Sequence, residues 1–203
     1  MSSNVASEAN QNRLSRLLIL GPPGSGKRTQ GIALAQQLEL PALSTGELFR
    51  SMMCYDTPLA ARIRDMVAHR GYVEDDTTNA VVSKRLTAHD CSDGFLLYGY
   101  PRTVGQVHHL DHLLSQQRAA LDAVLCFEVD DDELVPRLLA RGEQLGRIDD
   151  QAETIRARLA LYHEQTEPLV DLYRGRGQLI SVDATGSVKK VKERIDAALH
   201  QYV

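Results

Sequence analysis

The chain holds no apolar run near bilayer-spanning length, so no segment reads as a membrane span. It has three cysteines, Cys54, Cys91 and Cys126, an odd number with neither metal-ligand nor redox spacing. A reducing, cytoplasmic setting suits that content, and Cys126, inside "AVLCFEV", reads as a small core hydrophobe. Basic charge is not in excess: 23 Lys and Arg stand against 27 Asp and Glu, a formal net charge of -4. This argues against nucleic acid or an anionic membrane as the main partner. Any anion site must then be a local gathering of cations. There are no internal repeats, and no low-complexity tract follows the polar opening "MSSNVASEANQNRLS". That opening has no hydrophobic segment, so it reads as a loose tail over residues 1–15 and not as a signal peptide. Residues 16–203 suit one domain.

What is present is an alternation of short apolar runs with longer helical patterns. The runs "LLIL" (17–20), "PALS" (41–44), "GFLLY" (94–98), "AVLCFEV" (123–129) and "QLISV" (178–182) predict five strands. Helical patterns cover 27–38, 46–54, 58–69, 75–89, 104–117, a stretch opened by aspartates after 129, 150–174 and the C-terminal residues to about 200. The strand runs are continuously apolar, which means both faces are covered. The expectation is an α/β fold: a five-stranded parallel sheet with helices on both faces and right-handed crossovers. Ligands in such sheets sit beyond the carboxyl ends of the strands.

The segment "GPPGSGKRTQ" (21–30) lies at the end of the first strand and opens the first helix. Gly21, Gly24 and Gly26 let the backbone curl so that its N–H groups face phosphate oxygens. The helix N-terminus adds partial positive charge, and Lys27 adds a full one. Gly24, Ser25, Gly26, Lys27, Arg28 and Thr29 are therefore the candidate nucleoside-triphosphate cradle, which makes the expected fold one of the P-loop NTPase type. A dinucleotide fingerprint fails, because Thr29 stands where a third glycine would fall.

Three further blocks follow in order: "STGELFR" (44–50), "GFLLYGYPRTVGQ" (94–106) and "RLLARGEQLGRIDDQAETIRARL" (137–159). With them the chain resembles the adenylate kinases of the short-lid type over nearly all its length after the tail. The resemblance implies reversible phosphoryl transfer from ATP to AMP, giving two ADP, by a monomeric enzyme. It implies a monophosphate-binding segment at about 44–73 and a lid at about 141–149. Thr45 would lie beside the AMP adenine, Arg50 and Arg102 would clamp its phosphate, and Gln106 would read the base edge. Val73 and Gly99 would line that pocket. Planar, permanently charged forks suit phosphate, and an amide can both donate and accept. The same resemblance gives Arg141, Arg147 and Arg158 the transferring phosphates, Arg137 the ATP adenine and Gly186 a place at the ATP site. Lys27, Arg102, Arg141, Arg147 and Arg158 are the implied catalytic set. The reaction needs alignment and cations more than covalent chemistry. The lid has no cysteine for a zinc knuckle, while Gly142 and Gly146 permit a tight turn. Asp149 and Asp150 either cap the following helix or pair with lid arginines.

Two positions depart from the family pattern. Arg28 stands where such kinases usually carry glycine, and Tyr98 stands where they carry the aspartate that holds magnesium through its water shell. No protein metal ligand is expected; magnesium would ride on the nucleotide phosphates. Arg28 either takes over part of the ion's electrostatic role or points to solvent. Two rival functions follow: a kinase for another nucleoside monophosphate, and a nucleotide-binding sensor with impaired catalysis. His108 and His112, one turn apart, fit an exposed helix face better than a metal site.

Overall fold

The computed structural model describes residues 14–70, 73–146 and 150–202. The expectations for residues 1–13, Arg147 and Asp149 lie outside them. The strands are β1 (Arg16–Leu20), β2 (Ala42–Ser44), β3 (Phe95–Tyr98), β4 (Ala123–Glu128) and β5 (Leu179–Asp183). The helices are α1 (Lys27–Leu38), α2 (Thr45–Met53), α3 (Pro58–Arg70), α4 (Asp75–Leu86), α5 (Val104–Gln116), α6 (Asp131–Leu145), α7 (Ala152–Leu161), α8 (Pro168–Gly175) and α9 (Val188–Tyr202).

All neighbouring strands pair in parallel, in the order β2-β3-β1-β4-β5. Successive residues of β1 feed opposite faces. Leu18 and Leu20 join a cluster with Val107, Leu110 and Tyr173 from α5 and α8. Leu17 and Ile19 join one with Leu34, Val191 and Ile195 from α1 and α9. This two-sided burial is why β1 has no polar alternation. Each such side chain contributes about 1.5–3 kcal/mol of hydrophobic free energy. Burial pushes the Cys126 thiol up to about 11, as befits an inert core residue.

Two satellite clusters flank the sheet. Phe49, Ile63, Met66 and Val73 bind α2, α3 and the approach to α4 into a small core of their own. Leu134, Leu138, Ile155 and Leu159 join α6 to α7.

Two helix expectations need correction. The single helix at 150–174 is three elements, because Tyr162–Thr166 form a π-helical turn before α8 begins. Pro168 lies at the start of α8, where its missing N–H costs nothing. The helix from 75 ends at Leu86, where the Thr87 hydroxyl donates back to Ser83 O at 3.0 Å, and a 3₁₀ turn follows. Pro136 is inside α6, so that helix lacks one backbone hydrogen bond.

Candidate active site

The phosphate loop joins β1 to α1 at the carboxyl edge of the sheet, where β1 lies between β3 and β4. Gly24 is fixed twice over: its φ is 86°, and a Cβ there would come within 2.9 Å of Leu138. Beneath the loop, Lys27 Nζ donates to Gly21 O and Pro22 O, each at 2.6 Å, and to Ser25 Oγ at 3.4 Å. Burial holds this ammonium well below the ordinary lysine value, and Arg102, Arg158 and Arg141 depress it further. Repulsion among four cations is the electrostatic state of a site built for an anion.

A cavity of about 360 Å³ opens over the loop. Lys27, Arg28, Arg50, Arg102, Arg137, Arg141 and Arg158 all line it, with Gly24, Gly26 and Thr29 of the loop. No Asp or Glu lines it among the described residues. A second cavity of about 220 Å³ holds Thr45, Val73 and Gln106. Gly99 and Arg102 line both cavities and so join them. Thr45 Oγ1 donates to Gly99 O at 2.7 Å, and Arg102 Nε donates to the same oxygen at 2.8 Å. The π-helical turn supports Arg102 from behind, with Thr166 Oγ1 donating to Arg102 O at 2.9 Å.

The arrangement brings together nearly all the sequence-derived candidates. Ser25 is buried under the loop, outside both linings. Gly186 stands in the turn after β5, also outside them, although Arg137 reaches Ala184 O nearby at 3.5 Å. Residues 141–145 continue α6.

Asp150 is the residue that sequence reasoning left undecided. Its side chain is fully buried. It accepts from Arg141 Nε and Nη2, each at 2.7 Å, and from Arg158 Nη1 at 3.0 Å. One carboxylate thus ties α6 to α7 through both arginines. Gly142 is required by that approach, since a Cβ there would lie 2.9 Å from Asp150 Cβ. Tyr162 also lines the larger cavity. Asp75, Glu47 and Tyr162 carried no sequence signal that set them apart from ordinary helix residues.

Arg28 faces the larger cavity and pairs with Glu47 of α2. It is 61% exposed in the side chain, so the pair is well solvated. Tyr98 is 4% exposed, and burial, followed by the charge of Glu47, pushes its hydroxyl up to about 12. Ser44 and Glu47 lie close enough to perturb that hydroxyl, yet it makes no hydrogen bond of good geometry. A neutral phenol and a guanidinium are poor company for a dication. Among the described residues no group of three or more His, Cys, Asp or Glu could hold a metal. At positions 28 and 98 the chain thus offers magnesium no carboxylate. No described helix is long and apolar enough to cross a membrane.

Comparison with known proteins fits this geometry. The family model described as "Adenylate kinase" matches residues 19–178. A protein named adenylate kinase from Kocuria rhizophila is 46% identical over 188 residues, 93% of this chain and 100% of its own length. One of the same name from Pseudarthrobacter chlorophenolicus is 45% identical over 92% of this chain and 97% of its own. A third, from Clavibacter michiganensis subsp. michiganensis, is 46% identical over 92% and 93%. The chain belongs to the adenylate kinase family.

Proposed function

We propose that this member of the family performs the reversible transfer of the terminal phosphoryl group of ATP to AMP, giving two ADP, through the cations of the larger cavity. What carries the reading is that lining: seven cationic side chains, no carboxylate among the described residues, and a second cavity joined to it at Gly99 and Arg102. In this reading Gly24, Ser25, Gly26, Lys27, Arg28 and Thr29 cradle the ATP phosphates, with Arg137 and Gly186 toward its adenine. Thr45, Val73, Gly99 and Gln106 hold the AMP base, and Arg50 and Arg102 hold its phosphate. An AMP phosphate oxygen attacks the γ-phosphorus, the bond to the β–γ bridging oxygen breaks, and ADP leaves. No side chain acts as nucleophile. Lys27, Arg102, Arg141, Arg158 and the lid's Arg147 align the two phosphates and meet the charge spread over the transferring group. Residues 44–73 act as the monophosphate-binding segment, which its separate small core supports. Residues 141–149 act as the lid, which excludes water while the chain of phosphates is held.

Magnesium accompanies the nucleotide in adenylate kinases. Here it would be held by phosphates and water, with Tyr98 standing where a protein anchor would be. We infer a monomer in the cytoplasm. In support of the compartment, the cysteines are free thiols, which suits a reducing setting. A coupled assay of ATP with AMP, GMP, CMP and UMP, with and without magnesium, tests the reading. Efficient turnover with AMP alone supports it. Preference for another monophosphate overturns the acceptor assignment, and nucleotide binding without turnover overturns the catalytic one.

A further inference from the structure

We propose that Asp75 sets base selectivity by locking the side-chain amide of Gln106 in one orientation, so that the smaller cavity accepts a 6-aminopurine and rejects a 6-oxopurine. This rests on the reading that Gln106 faces the base.

The argument begins with the hydrogen-bond inventory of an amide, which has two N–H donors and two acceptor lone pairs. Gln106 is 3% exposed and lines the smaller cavity beside Asp75. Its Oε1 accepts from the Arg102 backbone N–H at 2.7 Å. Its Nε2 donates to Asp75 Oδ1 at 2.7 Å. The two partners force the orientation, because a backbone N–H can only donate and an ionised carboxylate can only accept. Turning the amide over would set N–H against N–H and oxygen against oxygen in a buried place. Asp75 is itself tied down. Thr103 Oγ1 donates to Asp75 Oδ2 at 2.6 Å, and that hydroxyl caps α5 by accepting from Gln106 N at 3.2 Å.

After these commitments one N–H and one lone pair of the amide remain for the cavity, in fixed order. The Watson–Crick edge of adenine offers an N6 donor beside an N1 acceptor. A 6-oxopurine offers an O6 acceptor beside an N1–H donor, the reverse order. A free amide could turn over and pair with either. A locked one pairs with one of them and leaves the other facing like groups, a mismatch that is heavily penalised when buried. Asp75 is thus a positioning residue that acts through Gln106 and touches neither phosphate.

The test compares AMP with IMP, which differ at this edge. For wild type, Asp75→Asn and Gln106→Ala, kcat/KM is measured for each monophosphate at saturating ATP, with Ki against AMP where IMP turns over poorly. In D75N the new amide can present either face, so the AMP:IMP preference should fall about tenfold, the size of one buried mismatch. The change should lie in KM for the monophosphate and not in KM for ATP. Should D75N not fold, Asp75→Ser carries the same expectation, since its hydroxyl can also donate. A purely structural role would lower stability without moving the AMP:IMP ratio. If D75N and D75S keep the wild-type ratio while Q106A loses it, Gln106 reads the base and Asp75 does not orient it. If Q106A also keeps the ratio, the reading of Gln106 itself fails and the proposal falls with it.

Discussion

Replacing Asp150 with Asn keeps the shape and removes the charge on which two cavity arginines converge. Three charge-assisted bonds, at 2.7, 2.7 and 3.0 Å, end on this buried carboxylate. Breaking a buried ion pair by deleting one partner costs about 3–5 kcal/mol. Arg141 is 31% exposed in the side chain and Arg158 13%, so water recovers part of that. A loss of about 2–4 kcal/mol is therefore expected. For a chain of this size that lowers Tm by roughly 5–15 °C. Both guanidiniums still line the cavity beside Lys27, so a bound anion should make up part of the lost charge. Calorimetric melting of wild type and D150N, with and without saturating ATP, reads both effects. The gap in Tm should be wide without nucleotide and narrower with it. A gap under about 1 °C, or one that ATP leaves unchanged, would refute the assignment of Asp150 as the shared counter-ion.

Other expectations concern the loop and its departures. Lys27 is held below its ordinary value in the free protein, and phosphate should raise it again, so ATP binding should take up a proton in the pH window between the depressed and the restored value. Affinity then falls as pH rises through the depressed value. Titration calorimetry in two buffers of different ionisation enthalpy measures the uptake, and Lys27→Met should abolish it. The same variant should lose about 10²–10³ in kcat, the usual cost of deleting one preorganised cation, in the coupled assay. Gly31→Ala drives a Cβ to 3.1 Å from the Tyr98 ring and 3.3 Å from Ile19, an overpacking worth about 1–3 kcal/mol in denaturant unfolding. The double change Arg28→Gly with Tyr98→Asp should raise both turnover and the dependence of ATP affinity on magnesium, read by calorimetry with the ion and with chelator. No change in either would show that these two residues do not govern the metal.

The sheet was legible because β1, β3 and β4 are buried on both faces, and unbroken apolar runs between helical patterns have few other readings. The phosphate loop was legible because a short contiguous motif carries its whole geometry. The elements missed were those decided by tertiary context. The π-helical turn at Tyr162–Thr166 keeps a helical period in sequence, so the long helix looked unbroken. Its purpose shows only when Thr166 meets the Arg102 carbonyl, 64 positions away in the chain. Asp150 could cap or pair, and only the approach of α6 through Gly142 decides for pairing. Asp75 looks like any acidic residue in a first helical turn until α5 brings Thr103 and Gln106 to it. Arg28 and Tyr98 stood out in sequence as departures, but Glu47, which pairs with Arg28, lies on another element.

The central claim is that cations from separate elements converge on one chain of phosphates held between two adenosines. A crystal structure with a bisubstrate mimic, two adenosines joined by five phosphates, tests it most directly. Lys27, Arg50, Arg102, Arg141 and Arg158 should each lie within hydrogen-bond distance of a phosphate oxygen, with one adenine against Gln106. Arginines turned to solvent, or phosphates lying outside the joined cavities, would contradict the account.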